Sequence, residues 1–100
     1  MKQYTNESQT TKLIELGFMA PIGSWETSDN VYSIGEVIKM LPTVVESEDS
    51  EYATLQMYFD LFNWIIEYTG VEETQYATSA IELIDALYEM IVKLKEEEII

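Results

Sequence analysis

The stretch Ser79–Glu98, SAIELIDALYEMIVKLKEEE, carries the clearest structural signal in this 100-residue chain. Its apolar residues recur at helical spacing and leave a polar stripe on the opposite side. Ser79 followed by Glu82 matches a capping box, a pattern that marks the first turn of a helix. The stretch therefore predicts a long amphipathic helix that starts at Ser79 and packs against the other elements. Its apolar positions are Ala80, Leu83, Ile84, Leu87, Ile91 and Leu94.

The polar side of this helix carries three acidic residues, Glu82, Asp85 and Glu89. Charges of one sign on a rigid face raise the association rate of an oppositely charged partner. We therefore expect these three residues to form a solvent-facing interaction face.

Two shorter helices are predicted nearer the N-terminus. Residues 10–16, TTKLIEL, precede Gly17, which suits the left-handed position that ends many helices. Residues 33–41 begin with another capping-box pattern, Ser33 and Glu36, and stop before Pro42. Residues 1–9 show no periodicity. We expect them to form a flexible tail that precedes a single domain over residues 10–100.

The middle of the chain, residues 52–68, fits two structures. With a period of two, Leu55, Met57 and Phe59 share one face, and a turn follows at residues 60–63. With a period of 3.6, the same residues read as a helix with one polar stripe. The frequent Thr, Tyr, Phe, Trp and Ile favour strands. We therefore expect an α+β fold with a β-hairpin or, using residues 71–78, a three-stranded antiparallel meander; the alternative is an all-α helical bundle.

Charge is the strongest global feature of the composition. Nineteen Asp and Glu stand against five Lys and no His, giving a formal net charge of −14. Residues 46–100 hold fourteen of the acids and two of the lysines, a balance of −12. Such a surface repels phosphates, so no direct nucleic-acid binding is expected. A basic protein partner would be attracted, although the same charge also keeps a small protein soluble.

Two residue types on which many catalytic and metal sites depend are missing. The chain has no His and no Cys, and its four glycines are isolated rather than grouped in a phosphate loop. Carboxylate pairs such as Asp85 and Glu89 are present, but acids at this spacing on an exposed helix stripe are expected to be solvated. The acidic run at residues 46–51, ESEDSE, lacks the central glycine and distal glutamate of a calcium loop. We therefore predict no enzymatic activity, no catalytic residue, no cofactor and no metal site.

The sequence also predicts where the protein resides. No apolar run approaches the roughly 18 residues that cross a membrane, and the polar N-terminal residues lack the apolar segment of a secretion signal. We expect a cytoplasmic protein with no membrane partner.

Three blocks of the chain resemble a known group of proteins. They are KLIELGF at residues 12–18, YSIGEVIKMLP at residues 32–42 and ELIDALYEMIVKLKEE at residues 82–97. Their order is similar to that in small uncharacterised proteins encoded by phages and mobile elements of gut bacteria, with the pattern LIELGF…YxIGELIxMLP…ELIDALYxMI. The resemblance covers most of residues 12–97. It implies an α+β domain in a viral or mobile-element setting and transfers no functional residue.

These features predict a non-enzymatic acidic interaction protein, a phage or mobile-element regulator or inhibitor that occupies a basic site on a partner protein. The alternative is a structural or assembly module that forms a small homo-oligomer through apolar surface. Salt distinguishes the two, because screening weakens a charge-driven complex far more than an apolar self-interface.

Overall fold

The computed structural model describes residues 2–21, 31–46, 52–70 and 74–100. Within these ranges the order is α1 (Glu7–Glu15), α2 (Ile34–Met40), β1 (Val44–Glu46), β2 (Tyr52–Asp60), β3 (Asn63–Thr69), β4 (Thr74–Ala80) and α3 (Leu83–Glu96). The predicted α+β class is confirmed, and the all-α alternative is wrong.

The strands form one antiparallel sheet with the order β1-β2-β3-β4. β2 and β3 make the predicted hairpin, and Asp60 pairs with Asn63 at the predicted turn. β4 supplies the third strand, which runs on to Ala80. β1 is a fourth strand that the sequence analysis did not predict. Residues 71–73 and 47–51, parts of the predicted third strand and acidic run, lie outside the described residues.

The C-terminal helix begins later than predicted. α3 starts at Leu83, whereas Ser79 lies in β4 and pairs with Ile65 of β3. Glu82 is the N-cap residue; its backbone is extended and its side chain makes no capping hydrogen bond. The capping-box interpretation is wrong because strand pairing takes up the residues that the pattern assigned to a first helical turn.

One face of the sheet is covered by the apolar side of α3. Leu87, Ile91 and Leu94 are fully buried, as their spacing predicted, and share one core with Ile66 and Tyr68 of β3. Burial of each such aliphatic side chain contributes roughly 1.5–3 kcal/mol to stability. The sheet and α3 are therefore the main framework of the domain.

Tyr68 also ties the sheet to the segment that enters it. Its hydroxyl donates a hydrogen bond to the carbonyl of Pro42 at 2.7 Å. Burial raises the pKa of the Tyr68 phenol to about 12, so the group stays neutral at ordinary pH. The bond fixes the path of the chain between α2 and β1.

Helix α1 begins at Glu7 rather than at Thr10, because Asn6 and the side chain of Gln9 form a capping box. The stretch predicted to be a flexible tail has further backbone bonds within its described part, residues 2–9. Tyr4 forms a β-bridge with Ser33, and the Thr5 amide donates to the Tyr32 carbonyl at 2.9 Å. Regular structure therefore starts earlier in the chain than the periodicity indicated.

The other predicted helix ends are confirmed. Gly17 follows α1 with a φ of +103°, and the amides of Gly17 and Phe18 donate to the carbonyls of Ile14 and Leu13. This 5→2 and 6→1 pairing is the Schellman arrangement. In α2 the predicted capping box of Ser33 and Glu36 is present.

Candidate interaction surface

Two of the three acids predicted to form an interaction face bind within the fold. The Glu82 Oε2 atom accepts a hydrogen bond from the Lys2 backbone amide at 2.8 Å. The Asp85 Oδ1 atom accepts from Lys2 Nζ and from Gln9 Nε2, each at 2.8 Å. Glu89 is exposed. The stripe is therefore partly covered by the N-terminal segment, and Glu89 is the member that faces solvent as predicted.

The pKa of Asp85 reflects this covering. Partial burial by itself would raise the pKa of the carboxyl group, but the hydrogen bonds from Lys2 and Gln9 and the charge of Lys2 outweigh it. The pKa of Asp85 is consequently lowered below its ordinary value. Asp85 is a structural anchor for residues 2–9, a role that sequence periodicity could not reveal.

An exposed apolar surface lies at the turn of the β2–β3 hairpin, away from the buried base of the two strands. We name it the hairpin end. Leu61 and Phe62, the two turn residues, are 82% and 78% exposed. The strand residues beside them continue the apolar surface toward the core. The hairpin end consists of the exposed residues Met57, Phe59, Leu61 and Phe62, together with Trp64, which is half-buried and packs against the core.

On the helix-facing side of β2, the exposure of the side chains rises toward the turn. Residues of β2 that share the helix-facing side change from Ala53, fully buried, to Met57 at 40% exposure and Phe59 at 57%. Each faces a β3 residue directly, Met57 opposite Ile66 and Phe59 opposite Trp64. The sheet face that is core at the base of the hairpin is therefore uncovered at its end.

The turn departs from the usual chemistry of two-residue hairpins. Such turns normally need a positive φ, which Asn-Gly or a similar pair supplies. Neither Leu61 nor Phe62 has a positive φ. Turn propensity does not explain these two residues, and neither does burial. Departures from local consistency of this kind are expected at functional sites.

The aromatic pair at the base of the turn gives the hairpin end a defined shape. The rings of Phe59 and Trp64 have their centroids 5.4 Å apart with a tilt of 60° between planes. Tilted aromatic pairs at this distance contribute about 0.5–1.5 kcal/mol beyond area burial. A partner would therefore meet an ordered apolar surface.

One edge of β2 is open beside the hairpin end. β1 pairs only with Tyr52–Thr54, and the next contact on that side is the Leu55 amide donating to the Thr43 carbonyl at 2.9 Å. Beyond Leu55, none of the strands in the described residues pairs with this edge. Residues 56–60 are all exposed. Natural sheet edges are usually protected by charge, Pro or a bulge, yet residues 55–59, LQMYF, have no charge and no Pro.

Alternation along β2 fixes which backbone groups face this edge. Leu55 directs its amide away from β3, toward Thr43. In an antiparallel pair the direction alternates from residue to residue, so Met57 and Phe59 also direct N–H and C=O groups away from β3. Gln56 and Tyr58, between them, bond toward β3. The open edge therefore presents the backbone donors and acceptors of Met57 and Phe59.

The charged residues of the hairpin itself are all acidic. Between Lys39 and Lys93 the sequence has eleven acidic residues and no basic one. Asp60 and Glu67 lie on the hairpin itself, and the Tyr58 hydroxyl donates a long bond of 3.4 Å to Glu67. The pKa of Tyr58 is raised, first by desolvation and then by Glu67 and Asp60. An incoming group thus meets apolar surface bordered by negative charge.

Two surface grooves lie elsewhere on the domain. A groove of about 660 Å³ runs beside α1 and is lined by Asn6, Lys12, Glu15 and Tyr88, among others. A groove of about 500 Å³ lies between Phe18 and α2. No cluster of three acidic groups able to hold a metal ion occurs within residues 2–21, 31–46, 52–70 and 74–100.

Among the described helices, none has the length and apolar character required to cross a membrane.

Comparison of the chain with protein-family models, with curated proteins and with solved structures gives no match.

Proposed function

We propose that this protein is a non-enzymatic interaction protein that binds a basic site on a partner protein through its hairpin end. The observation that carries the proposal is the exposure of Leu61 and Phe62 at a turn where neither residue serves the turn or the core. Exposed apolar clusters rimmed by polar residues mark interaction sites. Aromatic residues such as Trp and Tyr are also enriched among interface hot spots.

The negative charge of the chain supports the proposal that the binding site on the partner is basic. A partner that contacts the hairpin end approaches Asp60 and Glu67, and the hairpin itself contains no basic residue. Long-range attraction of this kind increases the association rate and depends on salt. The resemblance to proteins encoded by phages and mobile elements implies a viral or mobile-element setting, in which we propose that the protein acts as a regulator or inhibitor of such a partner.

A second candidate function is that of an assembly module that forms a small homo-oligomer. The uncharged open edge at residues 55–59 favours it, because such edges pair readily with a second strand. The net charge of −14 on each copy opposes it, since two like-charged chains repel at low salt. Sedimentation of the purified chain at low and high salt separates the two functions.

The test of the proposed function is affinity capture from the cell that encodes the protein, with three forms of the chain. The double variant Leu61→Asn/Phe62→Gly removes the apolar turn and installs a pair that suits hairpin turns. The control Met19→Gln removes an apolar side chain that is 85% exposed. Met19 suits as a control because it lies toward the other end of α3 from the hairpin end. Its neighbour Phe18 contacts Lys95 near the C-terminal end of α3, whereas β4 brings the hairpin end close to the N-terminal end of α3.

We expect wild type and Met19→Gln to retain the same partner at low salt and to lose it as salt rises. We expect the double variant to retain much less of that partner, although circular dichroism shows it folded. A folded double variant that retains the partner as wild type does would overturn the proposal.

A further inference from the structure

We propose that the open edge of β2 accepts an extended segment of the partner as an additional antiparallel or parallel strand, and that this segment alternates apolar and basic side chains. The inference rests on the proposed function and identifies the element of the partner that is recognised. Addition of a strand to an exposed sheet edge is a recurrent mode of peptide recognition.

Backbone donors and acceptors are available along the open edge of β2. Met57 and Phe59 direct their amide and carbonyl groups toward the open edge, as the bond from Leu55 to Thr43 on the same side indicates. All five residues from Gln56 to Asp60 are exposed. At about 3.3 Å per residue the edge is roughly 17 Å long, which matches a strand of about five residues.

The two faces of the hairpin determine the side chains of the added strand. On the helix-facing side it would lie beside Met57 and Phe59, which are partly exposed and apolar. On the outer side it would lie beside Tyr58 and Asp60, with Glu67 on the next strand. Neighbouring side chains on one face of a sheet interact directly. Apolar residues therefore suit one face of the added strand and lysine or arginine the other.

Charge favours such a segment over a second copy of this chain. Pairing of β2 with β2 from another copy would bring together two chains of net charge −14. The Asp60 carboxylates would then lie in a joined sheet with no basic residue from either hairpin to neutralise them. A basic segment removes this repulsion and adds attraction within the Debye length of about 8–10 Å.

The first experiment uses a defined peptide. A capped eight-residue peptide that alternates valine and lysine is titrated into the isotopically labelled full chain, and backbone amide resonances are followed by NMR. Two control peptides have the same length. One carries glutamate in place of lysine, and the other has the same composition with its valines grouped. We expect saturable shifts of the Met57 and Phe59 amides with the alternating basic peptide, and weaker binding as salt rises.

The second experiment separates strand addition from attraction by charge. Met57→Pro removes an edge-facing N–H and leaves the β3-facing bonds of Gln56 and Tyr58 in place. Met57→Ala removes the same side chain and keeps the N–H. Relative to Met57→Ala, we expect Met57→Pro to bind the peptide about tenfold more weakly, the scale of one or two lost hydrogen bonds. If Met57→Pro does not fold, wild type is tested with a peptide methylated at every second backbone nitrogen, which must also bind at least tenfold more weakly.

Several results would overturn the inference. Equal binding by Met57→Pro and Met57→Ala, or by methylated and unmethylated peptides, would show attraction by charge alone. Binding of the grouped peptide as tight as that of the alternating one would exclude a strand. A dimer of the free chain with protected Met57 and Phe59 amides would assign the edge to a second copy. If capture of the partner still depends on Leu61 and Phe62 while peptide binding fails, this inference fails and the proposed function stands. If the peptide binds as expected but capture does not depend on Leu61 and Phe62, the proposed function is overturned.

Discussion

Lys2 and Asp85, 83 positions apart in the chain, form an ion pair with 2.8 Å between Nζ and Oδ1. The pair joins the segment before α1 to the first turn of α3. Gln9 of α1 donates to the same carboxylate oxygen at 2.8 Å. Asp85 therefore connects the segment before α1, helix α1 and helix α3.

Removal of this carboxylate should destabilise the domain modestly. We expect Asp85→Ala to lower the free energy of unfolding by roughly 0.5–1.5 kcal/mol, because two charge-assisted hydrogen bonds are lost at a partly exposed position. Denaturant unfolding measures the change. The control is Glu89→Ala on the exposed side of the same helix, for which a change below about 0.5 kcal/mol is expected. Equal effects of the two variants would contradict the structural role of Asp85.

The same carboxylate should make stability depend on pH in acid. The pKa of Asp85 is lower in the folded chain than its ordinary value of about 3.9. Its stabilising contribution is therefore present above about pH 4 and is lost as pH falls through the folded pKa. We expect the difference in unfolding free energy between wild type and Asp85→Asn to shrink from about pH 4 downward. A difference that grows in that range would contradict the lowered pKa.

The core beneath α3 gives a larger expected effect. Leu87 is fully buried in the cluster that joins α3 to the sheet. We expect Leu87→Ala to lower the free energy of unfolding by about 2–5 kcal/mol through lost burial and a residual cavity. Ile81→Ala, at a residue 75% exposed, is the control. A loss below about 0.5 kcal/mol for Leu87→Ala would show that α3 is not packed in this way.

The turn residues Leu61 and Phe62 of the hairpin end should be dispensable for folding. Leu61→Asn/Phe62→Gly removes two side chains that bury little and supplies a pair suited to the turn. We expect its free energy of unfolding to equal or exceed that of wild type, measured by denaturant unfolding at low and high salt. A decrease of more than about 1 kcal/mol would show that Leu61 or Phe62 packs within the domain.

The sequence predicted the hairpin for a sound physical reason. Residues 52–68 offered a polar stripe at helical spacing, but the frequent β-branched and aromatic residues indicated a half-buried pleated surface. Ile66 and Tyr68 of β3 are buried, while Tyr58 faces outward. Residues 52–68 form strands because their side chains pack within the sheet, and the polar stripe at helical spacing does not correspond to a helix.

Capping patterns gave one success and two failures. Ser33 and Glu36 form a capping box, whereas Ser79 and Glu82 do not, because Ser79 pairs with β3. A four-residue sequence pattern contains no information about pairing with a strand residue 14 positions away. Asn6 and Gln9 form the box that starts α1. This signal was present in the sequence and was missed because apolar periodicity begins only at Leu13.

The candidate site was harder to predict than the fold. The acidic stripe on α3 was visible as spacing, but its contacts with Lys2 and Gln9 join residues more than 75 positions apart. The hairpin end had a usable signal, since the predicted turn at residues 60–63 contains Leu61 and Phe62 and connecting segments usually lie at the surface. The open edge of β2 depends on how short β1 is, and strand pairing of this kind is a tertiary property that local pattern does not contain.

Amide hydrogen exchange along β2 tests the central claim most directly. In the free chain we expect the Met57 and Phe59 amides to exchange much faster than those of Gln56 and Tyr58, because only the latter pair with β3. With the alternating valine–lysine peptide bound, the Met57 and Phe59 amides should become protected as well. Uniform protection of residues 56–59 in the free chain, or unchanged exchange of Met57 and Phe59 at saturating peptide, would contradict the assignment of this edge as the binding site.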